Sequence, residues 1–220
     1  MITLAIDTSS QTASAALLDG YITLAESTAA RLRTHSETLM PMIAHLFELT
    51  AMRLEDIDCI ACSSGPGSFT GLRIGAACAK GLALAAEKPL IAVPTLDAMA
   101  YTMVCADAWV APMLDARRGQ VYTALYAPGG KRETDYLAEP IENILDMLKD
   151  KGRVICLGDG AEANRERIAP HTIAPQAYLR ASAVGAVALS LEKRGESDFS
   201  LLYIRKPQAQ REREERKCSQ

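Results

Sequence analysis

Two apolar segments that each end in an aspartate divide the sequence into halves with the same order of features. Ile2–Asp7 is the first of these segments and Trp109–Asp115 is the second. A polar turn follows each aspartate, and another apolar segment follows each turn, at residues 12–18 and 120–126. Short apolar runs bounded by turn residues are typical of buried strands. We therefore expect two lobes that each begin with a strand, an acidic residue, a turn and a second strand.

The segments that follow extend the same order in both halves. Asp19-Gly20 is a strong hairpin signal and predicts a third strand at residues 21–27. A capping box at Thr34 and Glu37 precedes apolar residues at helical spacing, which predicts a helix. Further strands are expected at residues 57–64, 90–93 and 153–157, and further helices at 72–86, 95–105, 141–149 and from 161.

A β-β-β-α-β-α unit used twice is the plan of the actin-like ATPase (ASKHA, RNase H-like) fold. We therefore predict an α/β protein with an N-terminal lobe at residues 1–105 and a C-terminal lobe at residues 106–220. No direct sequence repeat accompanies the repeated order. The charged tail at residues 211–217 is interpreted as a solvated helix end.

The composition is typical of a globular protein. Of the 220 residues, 49% are hydrophobic and 23% are charged, which excludes intrinsic disorder. The net charge of -3 provides no strongly basic field that could hold nucleic acid alone. The uninterrupted apolar runs are shorter than the ~20 residues that cross a bilayer, and the N-terminus lacks the basic segment of a signal peptide. We therefore predict a cytoplasmic protein that does not interact with a membrane.

The cysteine and histidine spacings do not match a metal-binding pattern. Cys59 and Cys62 form a C-x-x-C within a predicted strand, where residues three apart point to opposite faces. Buried structural thiols are therefore favoured over a zinc or redox pair. His35 and His45 would lie about 80° out of register on a helix and could not easily share a metal ion. The sequence predicts neither a metal site nor a catalytic centre.

A glycine-rich segment at residues 65–71 lies between a predicted strand and a predicted helix, where anion-binding loops also occur. It is not a Walker A loop, because Leu72 stands where the lysine would be. Thr70 replaces the third glycine of a dinucleotide-binding fingerprint, and Pro66 replaces the first glycine of a nucleophile elbow. We interpret the segment as a tight turn that leads into a helix capped by Ser68 or Thr70.

Small residues recur at every fourth position of the helix after this turn, at Gly71, Gly75, Ala79 and Ala83. Such a stripe allows another element to approach the helix closely. Most of the remaining circumference of the helix is also apolar. Two interpretations stay open: the helix lies in this chain's own core, or one of its sides meets another chain.

Four residues are candidates for the remnant of a nucleotide-binding site. Asp7 and Asp115 end their strands where an actin-like ATPase places the acids that hold the magnesium nucleotide. Gly158 and Gly160 lie in a turn that resembles an adenosine-contacting turn. The turn after Asp7 has no glycine, however, and the turn after Asp115 carries two arginines. Autonomous ATP hydrolysis is therefore the weaker alternative.

Taken together, these segments resemble the bacterial TsaB (YeaZ) family. The resemblance rests on Ile6-Asp7-Thr8-Ser9, His35-Ser36-Glu37, residues 65–75, Pro94-Thr95-Leu96, residues 115–122 and residues 202–205. It covers essentially the whole chain, and residues 65–75 are its most specific part. The family resemblance implies a non-catalytic member of the actin-like ATPase superfamily.

The resemblance also implies a biological role. Such a protein would help to place threonylcarbamoyl on N6 of the adenosine next to the anticodon, in tRNAs that read ANN codons. It would pair with a larger catalytic paralogue, TsaD, together with the small ATPase TsaE, and would form a homodimer when alone. It would contact tRNA mainly through the complex, and any ATP or ADP would bind at the heteromeric interface. The alternative is a free-standing ATPase or phosphotransferase of the same fold.

The resemblance places both the TsaD contact and the homodimer contact on the helices of the N-terminal lobe. The residues expected at this interface are His35, Leu39, Met42, Ile43, Leu46, Gly71, Ile74, Gly75, Cys78, Ala79 and Leu82.

Overall fold

Two five-stranded sheets form the framework of the protein in a computed structural model that describes residues 1–30, 34–104, 107–169, 171–175, 178–192 and 199–204. The first sheet consists of β1 (Ile2–Asp7), β2 (Thr12–Asp19), β3 (Ile22–Ala30), β4 (Cys59–Gly65) and β5 (Leu90–Pro94), in the order β3-β2-β1-β4-β5. The second sheet consists of β6 (Trp109–Asp115), β7 (Gln120–Thr123), β8 (Leu137–Pro140), β9 (Val154–Leu157) and β10 (Thr172–Ile173), in the order β10-β9-β6-β7-β8.

In both sheets the central strand has the same two kinds of neighbour. β1 pairs antiparallel with β2, with Ile2 opposite Asp19, and parallel with β4, with Thr3 opposite Cys59. β6 likewise pairs antiparallel with β7 and parallel with β9. Each sheet therefore places the third, second, first, fourth and fifth strands of its half side by side. This shared order confirms the predicted duplication.

The helices and sheets stack in five layers. The α-helices in the described residues are α1 (His35–Thr50), α2 (Phe69–Ala86), α3 (Thr95–Tyr101), α4 (Ile141–Leu148), α5 (Asp159–Ala163), α6 (Arg165–Ile168) and α7 (Ala181–Glu192). α1 and α2 cover the outer face of the first sheet, and α3 and α7 lie between the two sheets. α4, α5 and α6 cover the far face of the second sheet. Alternation along β1 separates the layers, because Leu4 and Ile6 face α1 and α2 while Ala5 faces the middle layer.

The largest differences from the sequence-based expectation lie in the second half. The strand expected at residues 120–126 ends at Thr123, and β8 carries no alternating pattern because all of its residues are half-buried. α7 also lacks a polar face, because it is buried on most of its circumference. A strand or helix with uniform burial shows no period that would reveal it in the sequence.

α7 belongs to the second half of the sequence but packs on the first sheet, mainly against β1, β2 and β5. The Oγ atom of Ser14 accepts a hydrogen bond from the N–H of Ala181 at 3.1 Å. Oε1 of Glu26 accepts another from the N–H of Ser182 at 2.8 Å. These acceptors satisfy the free N–H groups at the helix start. The two halves therefore interlock, and the boundary predicted at residue 105 falls at a residue outside the described ranges.

The C-x-x-C cysteines point to opposite faces of β4, as predicted. Cys59 packs in the middle layer, and Cys62 packs beneath α1 and α2. Burial raises the pKa of both thiols, so both are held in the neutral form. They are structural core residues, whereas Cys105 and Cys218 lie outside the described residues.

Candidate functional site

The small-residue stripe of α2 lies against the first sheet. A side chain at Gly71 would collide with the carbonyl oxygen of Thr8, and one at Gly75 would collide with the hydroxyl of Thr8. That hydroxyl donates a hydrogen bond to the carbonyl oxygen of Gly71 at 2.8 Å. Further along the stripe, Ala79 is fully buried and Ala83 is 7% exposed. The chain's own core therefore accounts for the stripe, without a second chain.

Most residues predicted at a partner interface lie on the buried sides of α1 and α2, which face the first sheet. These buried residues are Leu39, Met42, Ile43, Leu46, Gly71, Gly75 and Ala79. In the isolated chain their side chains lie in the core, because an amphipathic period marks the side of a helix that faces its own sheet. A contact of these positions with a partner remains a prediction.

The remaining predicted interface residues, His35, Ile74, Cys78 and Leu82, are half-buried. Nε2 of His35 lies 2.9 Å from the carbonyl oxygen of Ser10, so the imidazole ties the start of α1 to the turn after β1. Sγ of Cys78 lies 3.2 Å from Sδ of Met40, where α1 and α2 meet. A contact of these four residues with a partner remains a prediction.

The exposed side of α1 and α2 carries a second apolar surface, which we name the outer face: Met40, Ala44, Ala77, Gly81 and Leu84. Leu84 is 81% exposed and Met40 is 49% exposed. A Cβ atom added at Gly81 would have no neighbouring atom within 4 Å. Sequence reasoning missed this surface, although Ala77, Gly81 and Ala85 repeat the four-residue spacing of the inner stripe. Large apolar groups left in water on adjacent helices are typical of a contact surface.

By length and composition, one helix among the described residues, α2, could cross a membrane. The sequence shows no uninterrupted apolar run of this length, because α2 contains Arg73 and Lys80. The inner side of α2 packs on the first sheet, and core helices of globular domains pass the same test.

A cleft of about 290 Å³ separates the two lobes, and the turns after the two central strands face each other across it. The first-lobe side is formed by residues 9–11, residues 66–69 and Leu72. The second-lobe side is formed by residues 114–117 with Tyr122 and Asp159, and residues 202–204 complete the lining. The predicted cap of α2 lies here, because Oγ of Ser68 accepts the N–H of Gly71 at 3.2 Å.

The acid of the first lobe is sealed away from the cleft. Asp7 is fully buried, and its Oδ1 accepts the N–H of Ser9 at 3.2 Å. Burial raises the pKa of this carboxyl above its usual value. The glycine-rich turn closes over it: the N–H of Ser68 donates to the carbonyl oxygen of Ser9 at 2.7 Å, and a side chain at Gly67 would collide with that oxygen.

The acid of the second lobe lines the cleft but is engaged within its own turn. Asp115 accepts the backbone N–H of Arg117 at 2.8 Å and lies 3.3 Å from its guanidinium. Arg117 and Arg118 both have positive φ, which a non-glycine residue adopts at a cost of about 1 kcal/mol or more. The carboxylate of Asp159 accepts the N–H of Asp115 at 3.0 Å, and burial raises its pKa.

The glycines Gly158 and Gly160 fulfil a packing requirement in the second lobe. A Cβ atom at Gly158 would collide with the carbonyl oxygen of Met113, and one at Gly160 would lie 2.8 Å from the carbonyl carbon of Leu114. Of the four candidates for a nucleotide-site remnant, Asp115 alone lines the cleft. A magnesium nucleotide, which this type of fold implies, does not fit these residues, because one acid is buried and bulky arginines occupy the second turn.

The chain is similar to proteins of tRNA modification. A family model, TsaD: tRNA N6-adenosine threonylcarbamoyltransferase, matches residues 23–188. The tRNA threonylcarbamoyladenosine biosynthesis protein TsaB of Bacillus subtilis (strain 168) is 38% identical over 175 residues, which cover 76% of this chain and 75% of the relative. The solved structure of YeaZ from Pseudomonas aeruginosa has a TM-score of 0.79 and 26% identity, and the match covers 92% of this chain and 99% of that chain.

A more distant likeness concerns the fold alone. The activator of the 2-hydroxyisocaproyl-CoA dehydratase from Clostridium difficile, solved with bound ADPNP, matches with a TM-score of 0.56 at 11% identity. The match covers 92% of this chain and 100% of the activator. Together with the duplicated sheet order, it confirms the predicted two-lobed actin-like ATPase fold.

Proposed function

Because the chain belongs to the TsaB (YeaZ) family and has a role in tRNA threonylcarbamoyladenosine biosynthesis, we propose that it acts there as a non-catalytic subunit that pairs with a TsaD-type transferase. In this proposal the transferase carries out N6-threonylcarbamoylation of the adenosine next to the anticodon, in tRNAs that read ANN codons. The chain supplies a rigid surface that holds the transferase in its working arrangement.

The outer face is the observation that carries this proposal. It places the large side chains of Leu84 and Met40 in water on two helices whose other sides are fixed to the sheet. Ala77 and Gly81 lie on the same side of α2 and are also exposed. Small residues allow two helix backbones to approach closely, and neighbouring large apolar residues supply the buried area. In this proposal a pair of helices from the transferase packs on this surface.

The same face would serve a homodimer when no transferase is present, so the two assemblies would exclude each other. A TsaE-type ATPase would then join the heteromeric complex. tRNA would be held mainly by the complex, since the net charge of this chain is -3. ATP or ADP would bind at the heteromeric interface rather than in the interlobe cleft of the isolated chain, where one acid is buried and the other is paired with Arg117. The assembly of the complex and the modification of tRNA would take place in the cytoplasm.

The test is a charge placed on the outer face, with a matched control on the other lobe. Leu84→Glu is expected to weaken binding to the TsaD-type transferase of the same organism at least thirtyfold, or about 2 kcal/mol, because the contact would bury an unpaired charge. Met147→Glu is the control, because Met147 is 37% exposed on α4. Calorimetry gives the affinities, and mass spectrometry of tRNA nucleosides in a complemented depletion strain gives the modification level.

Equal transferase affinity for both folded variants would show that the outer face is not the contact. The non-catalytic role has a separate test, which is ATP turnover by the isolated chain. Turnover that is lost in Asp115→Asn would favour the alternative of a free-standing ATPase or phosphotransferase.

A further inference from the structure

A short segment from the end of the described chain forms part of the cleft wall. Residues 199–204, which we name the strap, have no helical or strand structure and run along one edge of α2. The ring of Phe199 lies 5.4 Å from Nζ of Lys80, in the second half of the helix. The ring of Tyr203 lies 5.4 Å from that of Phe69, at the start of the helix. The strap therefore follows α2 back towards the cleft.

The strap covers the glycine-rich turn. The N–H of Leu202 donates to the carbonyl oxygen of Ser64 at 2.7 Å. A Cβ atom at Gly65 would lie 2.5 Å from the carbonyl oxygen of Leu202 and 3.2 Å from Cδ1 of Leu72. Leu72 lines the cleft but is only 1% exposed. The strap thus lies on the part of the first lobe that would otherwise open into the cleft.

Two side chains of α2 hold the end of the strap. The guanidinium of Arg73 stacks on the ring of Phe69 at 3.8 Å, and its Nε donates to the hydroxyl of Tyr203 at 3.3 Å. Tyr203 is 41% exposed, so this contact is partly in water. Segments with exposed contacts and no sheet or helix hydrogen-bond ladder open far more readily than the core does.

We propose that the strap is a displaceable cover of the interlobe cleft, and that the contact of Tyr203 with Phe69 and Arg73 is its clasp. When the strap is closed, its residues Leu202, Tyr203 and Ile204 form one wall of the cleft. When it opens, Gly65, Phe69 and Leu72 become accessible and the cleft widens along α2. The cover acts in the isolated chain and does not depend on a partner.

Hydrogen–deuterium exchange of the full chain tests the cover. In the wild-type protein the Leu202 amide is expected to be protected although it lies outside the sheets. Tyr203→Ala is expected to make its exchange about tenfold faster, because the ring contact and the hydrogen bond to Arg73 are lost. Arg73→Met removes the donor and the guanidinium stack on Phe69 but keeps the ring contact between Tyr203 and Phe69, so it should give a smaller increase. Tyr21→Ala, at an exposed tyrosine outside the strap, is the control and should leave the rate unchanged.

Binding of the dye ANS reports whether the cleft wall is uncovered. Its fluorescence should increase for Tyr203→Ala but not for Tyr21→Ala, since opening exposes Phe69 and Leu72. A wild-type Leu202 amide that exchanges as fast as an unstructured chain would overturn the proposal. So would an unchanged rate in both Tyr203→Ala and Arg73→Met, or faster exchange without increased dye binding.

Discussion

The two sides of α2 are built from the same kinds of residue but have opposite surroundings. On the inner side, Gly71 and Gly75 press on Thr8 so closely that neither could carry a side chain without a collision. On the outer side, a Cβ atom at Gly81 would meet nothing within 4 Å. A stripe of small residues therefore does not identify an interface by itself. What separates the two sides is whether the chain's own atoms already fill the space that the small residues leave.

The largest expected effect comes from placing the same charge on each side of this helix. Ala79→Glu puts a carboxylate at a fully buried position and should lower the free energy of unfolding by about 4 kcal/mol or more. Ala77→Glu, at an exposed position two residues away, should change it by no more than about 0.5 kcal/mol. Urea unfolding followed by circular dichroism measures both. Similar losses for the two variants would mean that the outer side is also covered.

The sequence predicted the strands at the centre of each sheet better than it predicted the contact surfaces of the protein. The strands Ile2–Asp7 and Trp109–Asp115 were found because apolar runs that end at a polar turn reflect burial directly. β8 and α7 were missed because uniform burial leaves no period. The family resemblance placed Leu39 and Ala79 at an interface, and in the folded lobe both lie on the apolar sides of their helices that face the sheet.

The buried state of Asp7 also could not be inferred from the sequence. An acid at the end of a strand is compatible both with a magnesium site and with a sealed carboxyl. The structure separates these cases through the glycine-rich turn, which is folded over residues 7–9. The family itself was recognisable from the residue pattern at 65–75, the segment in which the structure places the Ser68 cap and the close contact of Gly71 with Thr8.

A second experiment tests whether the inner side of α2 has room for a side chain. Gly71→Ala adds a single methyl group that collides with the backbone oxygen of Thr8, which cannot rotate away as a side chain could. Overpacking of this kind typically costs about 1–3 kcal/mol. Denaturant unfolding of the isolated chain measures the loss. A variant as stable as wild type would show that β1 and α2 can separate without cost, and that the inner side is not tightly packed.

The pH dependence of the free energy of unfolding reports how completely water is excluded from the region beneath the inner side of α2. Burial raises the folded-state pKa of Asp7, so between its usual pKa and the raised value the folded chain keeps a proton that the unfolded chain has lost. This carboxyl therefore contributes more stability as pH falls into that window and less as pH rises through it. Each unit of pKa difference corresponds to about 1.4 kcal/mol.

Asp7→Asn removes this titration but keeps the shape of the side chain and an acceptor for the N–H of Ser9. The variant should gain most over the wild type at neutral pH, and its advantage should disappear near pH 4. Asp159, whose pKa is also raised by burial, is present in both proteins and cancels in the difference. A constant difference between the two proteins across the pH range would place Asp7 in contact with water and weaken the description of a sealed first turn.

The smallest change in the free energy of unfolding is expected on the outer side of α2, and this change is a gain. Gly81→Ala should raise the free energy of unfolding of the isolated chain by about 0.5–1 kcal/mol, because alanine restricts the unfolded chain and its methyl group meets open space. The same methyl group should weaken binding to a TsaD-type partner if the partner's helix approaches this glycine closely. A gain in thermal stability together with a loss of partner affinity would show that Gly81 is kept for an intermolecular contact. A gain in both thermal stability and partner affinity would show that the contact lies away from the middle of α2, since a close helix crossing there could not accept the added methyl group.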